Sequence, residues 1–432
     1  MLRVSMHEAT EGMRLAMPVY HPQRGGPVLL KADVTLDARL ITRLREINLR
    51  EIYIHYPGMS FLSRYMSPAI MQARAELSQH VLTALDEVAS NAVARLDYTT
   101  YKRTVVGLIE QLVRAPTAAY YLEELATADT PQGRHANSVC FLSVLMGLKL
   151  GDYLIAERPR LHPNHARDVT SLGVGAMLHD VGMLRLPPET LRRWNREHDQ
   201  SDPHWQRHVK LGFDMVRDGV DPSAAAIVLH HHQAHDGSGF PRKKQLGGGS
   251  VSLKDKEIHA FARIVAVADA FDRLRDSGDA PGADSVPQTR RSTVEALREM
   301  VLGDTGKRYD PTVIKSLVAC VPAYAPGSVV TLSDGRRAVV CNWRPDDPCR
   351  PRVLPISGLT DAIGAGAQGS QVIDAEEPQD TVDLTSTPDL WIAEAEGFDV
   401  SKANFVLPSK ESFDLRQTDR ERINRAQALE PT

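Results

Sequence analysis

Apolar positions along this chain recur mostly at helical spacing. Val81, Leu82, Leu85, Val88, Ala92, Val93 and Leu96 fall on one stripe inside a helical pattern over residues 68–114. Val169, Leu172, Ala176 and Met177 mark another helix, and the apolar runs 224–229 and 264–271 add two more hydrophobic elements. Long alternating stretches are absent between them, so the centre of the chain reads as all-α. Alternation belongs to the two ends. Val28-Leu29-Leu30 and Ile52-Tyr53-Ile54 are β-like and flank a helical segment at 37–47 and the turn-rich Gly25-Gly26-Pro27. Residues 329–332 and 338–341 alternate around Ser333-Asp334-Gly335-Arg336, a hairpin signal, since Asp-Gly supplies the positive φ such a turn requires.

These shifts divide the chain into a small N-terminal α+β module (1–66), a connecting helical segment (67–116), an all-α domain (117–325), a short β-hairpin extension (326–357) and a tail (358–432). The connecting segment is expected to pack on the central domain, with a signalling or dimerisation helix as the alternative. The tail, rich in Gly, Ala, Gln, Thr, Asp and Pro, reads as linker and largely disordered, with apolar islands at Leu390-Trp391-Ile392 and Phe405-Val406-Leu407. A second loose stretch, 276–288, interrupts the central domain.

Composition narrows the function class. A chain of 432 residues has room for one sizeable core and smaller modules beside it. Its formal net charge of -4 disfavours a general binder of DNA or of anionic membranes, so any anionic substrate is held by local charge. The four cysteines, Cys140, Cys320, Cys341 and Cys349, lack metal-finger spacing, and Cys140 and Cys320 sit in apolar runs as core residues. Arg3, Glu8, Glu11 and Arg14 interrupt the first fifteen residues, and no apolar run is long enough to span a bilayer. A cytoplasmic protein with reduced thiols is the expectation.

Chemistry concentrates in three places. His230-His231-His232 closes the apolar run 224–229 and is followed by Gln233-Ala234-His235-Asp236-Gly237-Ser238-Gly239-Phe240-Pro241. His179-Asp180 closes the helix that carries Met177, and Asp269 lies within the run 264–271. Imidazoles and carboxylates set on separate hydrophobic elements point to a metal site assembled by folding. His204, four residues before His208, mimics the paired histidines of a zinc protease, but lacks the glutamate that chemistry needs.

These residues resemble the HD-GYP domain, the phosphodiesterase class associated with cyclic di-GMP. His179-Asp180 matches the first half of that name, and Gly239-Phe240-Pro241 the second, with Phe in place of Tyr. Similar blocks continue through Arg134-His135, Arg207-His208 with Gly212, His231-His232, Asp236-Gly237-Ser238-Gly239 and Ala268-Asp269 with Asp272, over about 120–324. The resemblance implies a mainly α protein with an HD-type helical core. It also implies metal ligands His135, His179, Asp180, His208, His231, His232 and Asp269, with Asp180 bridging two divalent ions, iron or manganese. His135, His179, Asp180 and Asp269 would serve one ion, and His208, His231, His232 and Asp180 the other. Asp272, three residues from Asp269, is expected to hydrogen-bond to a ligand or to the helix start rather than to touch metal.

The implied reaction is hydrolysis of cyclic di-GMP to linear pGpG or GMP, with His179, Asp180 and Arg185 in catalytic roles and Arg185, Gly237, Gly239 and Arg273 contacting substrate. Met183 stands where the family places a lysine, and Arg185 is expected to take over its phosphate contact. The segment after Asp272 also departs from the family pattern, leaving Arg273 and Arg275 as the nearby cations, and Pro131 stands where some relatives carry a further acidic ligand. The alternative is a catalytically weakened signalling adaptor that binds cyclic di-GMP, a diguanylate cyclase or another signalling protein. A homodimer and a phosphohydrolase of another substrate stay open. Imidazoles bind metal only when neutral, so occupancy is expected to fall as pH drops through about 6.

Overall fold

In a computed structural model of the chain, the described residues are 1–21, 28–47, 49, 51–65, 67–90, 97–115, 131–244, 248–275, 291–359 and 378–408. The loose stretch read at 276–288 lies outside them, as do Ala92, Val93 and Leu96 of the apolar stripe.

The central body is helical because several of its helices are apolar on every side, which only burial satisfies. Pro131–Lys149 is buried at every position from Ala136 to Gly147, and Ala260–Arg275 at every position from Ala260 to Asp272. Thr170–Leu178 is buried from Leu172 onward. Around these pack His208–Val216, Pro222–His230, Thr293–Leu302 and Pro311–Val318. Side-chain caps start several of them: Asp221 accepts from Ser223 N at 2.8 Å, and Ser292 with Glu295 forms a capping box. The segment 68–114 is two helices, Pro68–Ser90 and Tyr98–Arg114, whose Ile70, Leu77, Val81, Tyr101, Val105 and Leu108 join the same core. It packs on the central helices, as the first of the two expectations had it. Among the described residues no single helix is long and apolar enough to cross a membrane.

At the N-terminus, strand Leu2–Ser5 pairs antiparallel with Glu51–Ile54, and helix Ala38–Glu46, capped by Asp37, lays Ile41 and Leu44 on them. At the other end six antiparallel strands form one sheet, in the order Val382–Asp383, Arg352–Pro355, Arg337–Val340, Val329–Leu332, Ile392–Ala395 and Phe398–Asp399. The expected hairpin is its centre, with Val330 opposite Ala338 and Gly335 at φ 86°. The two ends share one core: Leu2, Val4, Leu15, Ile52 and Ile54 pack with Val339 and Cys341. Arg3 N also donates to Gly327 O at 2.8 Å.

The tail corrects the sequence reading. Residues 378–408 supply three of the six strands, and Ile392, Val400, Phe405 and Leu407 are buried in the main core. The apolar islands are short, but the open edge of Val329–Leu332 needs backbone partners, and Ile392–Ala395 supplies them. Arg344 fixes the far edge with two bonds to Asp383, at 2.7 and 3.0 Å. Residues 360–377 and 409–432 lie outside the described residues.

Candidate metal centre

Seven ligand candidates come from five places in the helical body. His135 sits in Pro131–Lys149, His179 and Asp180 follow Thr170–Leu178, His208 opens His208–Val216, His231 and His232 follow Pro222–His230, and Asp269 lies in Ala260–Arg275. The turn Val181–Arg185 that carries the chain away from Asp180 packs tightly on the start of the His208 helix. A Cβ on Gly182 would lie 2.0 Å from His208 O, so a side chain there would separate Asp180 from His208.

Helix ends also set the rings. His179 Nδ1 lies 2.8 Å from Ala176 O, His208 Nδ1 2.8 Å from Trp205 O, and His231 Nδ1 3.1 Å from Val228 O. A carbonyl only accepts, so each Nδ1 donates and each neutral ring is left with a lone pair on Nε2. His208 Nε2 and His231 Nε2 then face Asp180 Oδ1 at 3.3 and 3.4 Å, acceptor against acceptor. His208, His231 and His232 Nε2 and Asp180 Oδ1 are all buried without a hydrogen-bond partner. Three orphaned acceptors, Asp180 Oδ1 and Nε2 of His208 and His231, with the unpartnered His232 Nε2 beside them, cost several kcal/mol unless a cation joins them. Mixed imidazole and carboxylate donors suit iron or manganese.

The remaining candidates form a second group, His135, His179 and Asp269, adjoining the first group of Asp180, His208, His231 and His232. Here the acceptors are partnered. His135 Nε2 lies 2.8 Å from Asp269 Oδ1, and His135 Nδ1 2.6 Å from Asp272 Oδ2, the contact expected of Asp272. Arg273 Nε donates to Asp269 Oδ1 at 2.7 Å, and its Nη2 to Asp180 Oδ2 at 2.8 Å.

Electrostatics follow from burial and this pairing. Burial, against the pull of Asp180, holds His179 down at about 3, and burial beside His231 also lowers His232 well below the usual histidine range. The same burial would raise Asp180 and Asp269. Their neighbours outweigh it, with the His179 ring and the Arg273 charge acting on Asp180 and the Arg273 charge and the His135 bond on Asp269, and both carboxyls stay far below the usual range. Burial and the Arg273 charge push His135 down, but its bonds to Asp269 and Asp272 prevail and raise it to about 9.

An aromatic wall backs the centre. Trp194 and Trp205 stack at 4.0 Å, Trp205 lies 4.6 Å from the His208 ring, and Phe240 stacks on His232 at 4.7 Å. The loop brings Phe240 there because Phe240 N bonds to His232 O at 3.1 Å, and a Cβ on Gly239 would lie 2.3 Å from that same oxygen. Gly237, at φ 84°, turns the loop before it. Met183 is buried against Leu186, Trp194 and Trp205, so its position faces this wall. Arg185 ends the turn after Asp180 and is half-buried. His204 is exposed, and His235 lies 3.6 Å from Asp255, away from both groups.

Sequence reasoning missed the two tryptophans and Tyr309, whose hydroxyl burial and the charge of Asp269 push up to about 12. Trp205, three residues before His208, was a readable signal. Trp194 and Tyr309 come from elements that only folding brings near.

Residues 154–313 match a family model described as an HD domain. The chain is 26% identical over 313 residues to a cyclic di-GMP phosphodiesterase of Pseudomonas aeruginosa, covering 68% of this chain and 67% of that one. It is 27% identical over 168 residues to the cyclic di-GMP phosphodiesterase response regulator RpfG of Xanthomonas campestris, covering 38% and 39%. Over 153 residues it is 29% identical to a cyclic di-GMP phosphodiesterase of Thermotoga maritima, covering 35% and 37%. The chain thus spans well under half the length of the last two. The matched HD domain surrounds His179-Asp180, and Gly239-Phe240-Pro241 closes the loop beside that pair, so residues 154–313 are similar to an HD domain and the likeness to the HD-GYP class is supported.

Proposed function

We propose that this chain is a metal-dependent phosphodiesterase that hydrolyses cyclic di-GMP to linear pGpG or GMP. The observation that carries the reading is the set of buried atoms without partners, Asp180 Oδ1 and Nε2 of His208, His231 and His232. A bound iron or manganese ion supplies an activated water and neutralises charge on the phosphoryl oxygens. His208, His231, His232 and Asp180 would hold one ion, and His135, His179 and Asp269 provide the second ligand set, next to it. Asp180 turns Oδ1 to the first set and Oδ2 toward the second, where Arg273 Nη2 donates to it at 2.8 Å, so it is the carboxylate both sets share. The carbonyls of Ala176, Trp205 and Val228 hold three of the rings in the metal-binding tautomer.

Substrate grip falls to Arg185 and the loop at Gly237 and Gly239, whose backbone lies beside His232. The N-terminal module is the place for regulatory input, because it packs with Val339 and Cys341 of the terminal sheet in a core of its own, while Val330, Val340 and Ile392 of the same sheet reach into the helical core. The relatives' names support the substrate. The adaptor reading has one observation in its favour: Arg273 already neutralises oxygens of both Asp180 and Asp269.

The test is anaerobic loading with iron or manganese, removal of free metal, and elemental analysis beside an assay with cyclic di-GMP. Wild type is expected to hold metal and release a linear product, and Asp180→Ala to lose both. Full metal content in Asp180→Ala would overturn the bridging role. Metal without product would favour the adaptor.

A further inference from the structure

The two ligand groups differ in a way their residue types do not reveal. In the group of Asp180, His208, His231 and His232, four buried polar atoms, Asp180 Oδ1 and the three Nε2 atoms, lie together without a hydrogen-bond partner. In the group of His135, His179 and Asp269, a cation is already in place. The Arg273 guanidinium donates through Nε to Asp269 Oδ1 at 2.7 Å and through Nη2 to Asp180 Oδ2 at 2.8 Å, so one planar fork joins both carboxylates. It is confined there: its side chain is 21% exposed, and its guanidinium carbon lies 5.4 Å from the centre of the Trp194 ring.

Resting on the metal-centre reading above, we propose that Arg273 is a resident cation of the second metal subsite. It blocks that subsite, and the protein as folded loads one ion, on Asp180, His208, His231 and His232. The reason is competition for the same lone pairs. A first-row metal on Asp269 Oδ1 and Asp180 Oδ2 would need both oxygens at about 2.0–2.2 Å, and they already accept short charge-assisted bonds from a group that cannot deprotonate. Arg273 is four residues from Asp269 on one helix face, so the fork reaches Asp269 without any rearrangement of the backbone. The guanidinium brings one positive charge where a divalent ion would bring two. A centre of this kind keeps one metal to activate water and a fixed cation beside it that faces the same phosphate.

The experiment is metal stoichiometry after anaerobic loading with Mn(II) alone and desalting, with the electron paramagnetic resonance spectrum of the bound ion as a second readout. Wild type and Arg273→Lys are compared with Arg273→Ala and Arg273→Gln, with the unfolding temperature of each as the folding control. Wild type is expected to bind about one ion per chain, with the spectrum of an isolated centre. Arg273→Ala and Arg273→Gln are expected to bind about two, with the spectrum of a spin-coupled pair, and adding His135→Ala to Arg273→Ala to return the count to one. Two ions in wild type would overturn the proposal, as would one ion in folded Arg273→Ala and Arg273→Gln. No ion in any variant would overturn the metal-centre reading beneath it as well, so the two failures are distinguishable.

Discussion

The Phe240 ring lies on the His232 imidazole, with centroids 4.7 Å apart and planes 27° from parallel. His232 has no carbonyl holding its Nδ1 of the kind that fixes His179, His208 and His231, and its Nδ1 is 3.9 Å from Asp269. Stacking is therefore what orients it. Phe240→Ala is expected to weaken metal binding by about ten-fold or more, the scale of lost support behind a ligand. Phe240→Tyr, which keeps the ring, should bind as wild type does. Chelator competition measures both, and an unchanged affinity in Phe240→Ala would remove the stacking role.

Two histidines give the metal-free protein opposite pH dependences. His179, held at about 3, binds fewer protons folded than unfolded, so its contribution falls as pH drops below about 6.5. His135, raised to about 9, favours the folded state at and below about pH 6.5, and that contribution fades as pH rises through 9. The unfolding temperature of metal-free protein should therefore fall on both sides of neutrality. His135→Gln should flatten the alkaline side by a few °C and leave the acid side in place. Thermal melts from pH 5 to 10 check this, and an unaltered alkaline slope in the variant would contradict it.

On the helix that carries Asp269, Arg263 joins Asp310 at 2.7 Å and also Glu157, and Tyr153 donates to Asp310 at 2.6 Å. Arg263→Ala leaves the buried Asp310 carboxylate without its cation and Glu157 with Lys256 alone, a loss of about 3–5 kcal/mol. Chemical denaturation measures it. A loss under about 1 kcal/mol would mean that water reaches the network.

Met183 was expected to stand at the place of a phosphate-binding lysine, but it is 4% exposed against Trp194 and Trp205. Met183→Lys is therefore expected to destabilise the protein by several kcal/mol, since it buries an ammonium without a partner, rather than to improve substrate binding. Arg185→Ala carries the test of grip. Losing a charge-assisted contact of about 1.5–3 kcal/mol should raise KM about ten-fold with metal content unchanged. An unaltered KM would place the grip elsewhere.

The helical body was legible because helices such as Ala260–Arg275 are apolar almost throughout, and that pattern has one solution, burial. His179, Asp180, His231, His232 and Asp269 were legible because each ends or interrupts such a helix, and His135 and His208 through the resemblance. The state of the second ligand group was not. Arg273 reads as a cation near the site, and only the folded helix shows its fork turned onto Asp180, ninety-three positions away. The tail was misread for a related reason. Ile392 and Phe405 are islands among polar residues, and their burial depends on a sheet edge formed some sixty residues earlier, which composition does not register.

Chromatography of cyclic di-GMP after incubation with protein loaded anaerobically with iron or manganese tests the central claim most directly, with chelated protein and Asp180→Ala alongside. The expected result is a linear dinucleotide or GMP from the loaded wild type alone. Cyclic di-GMP recovered intact from protein whose metal content is verified would contradict the phosphodiesterase assignment and leave a metal-bearing adaptor in its place.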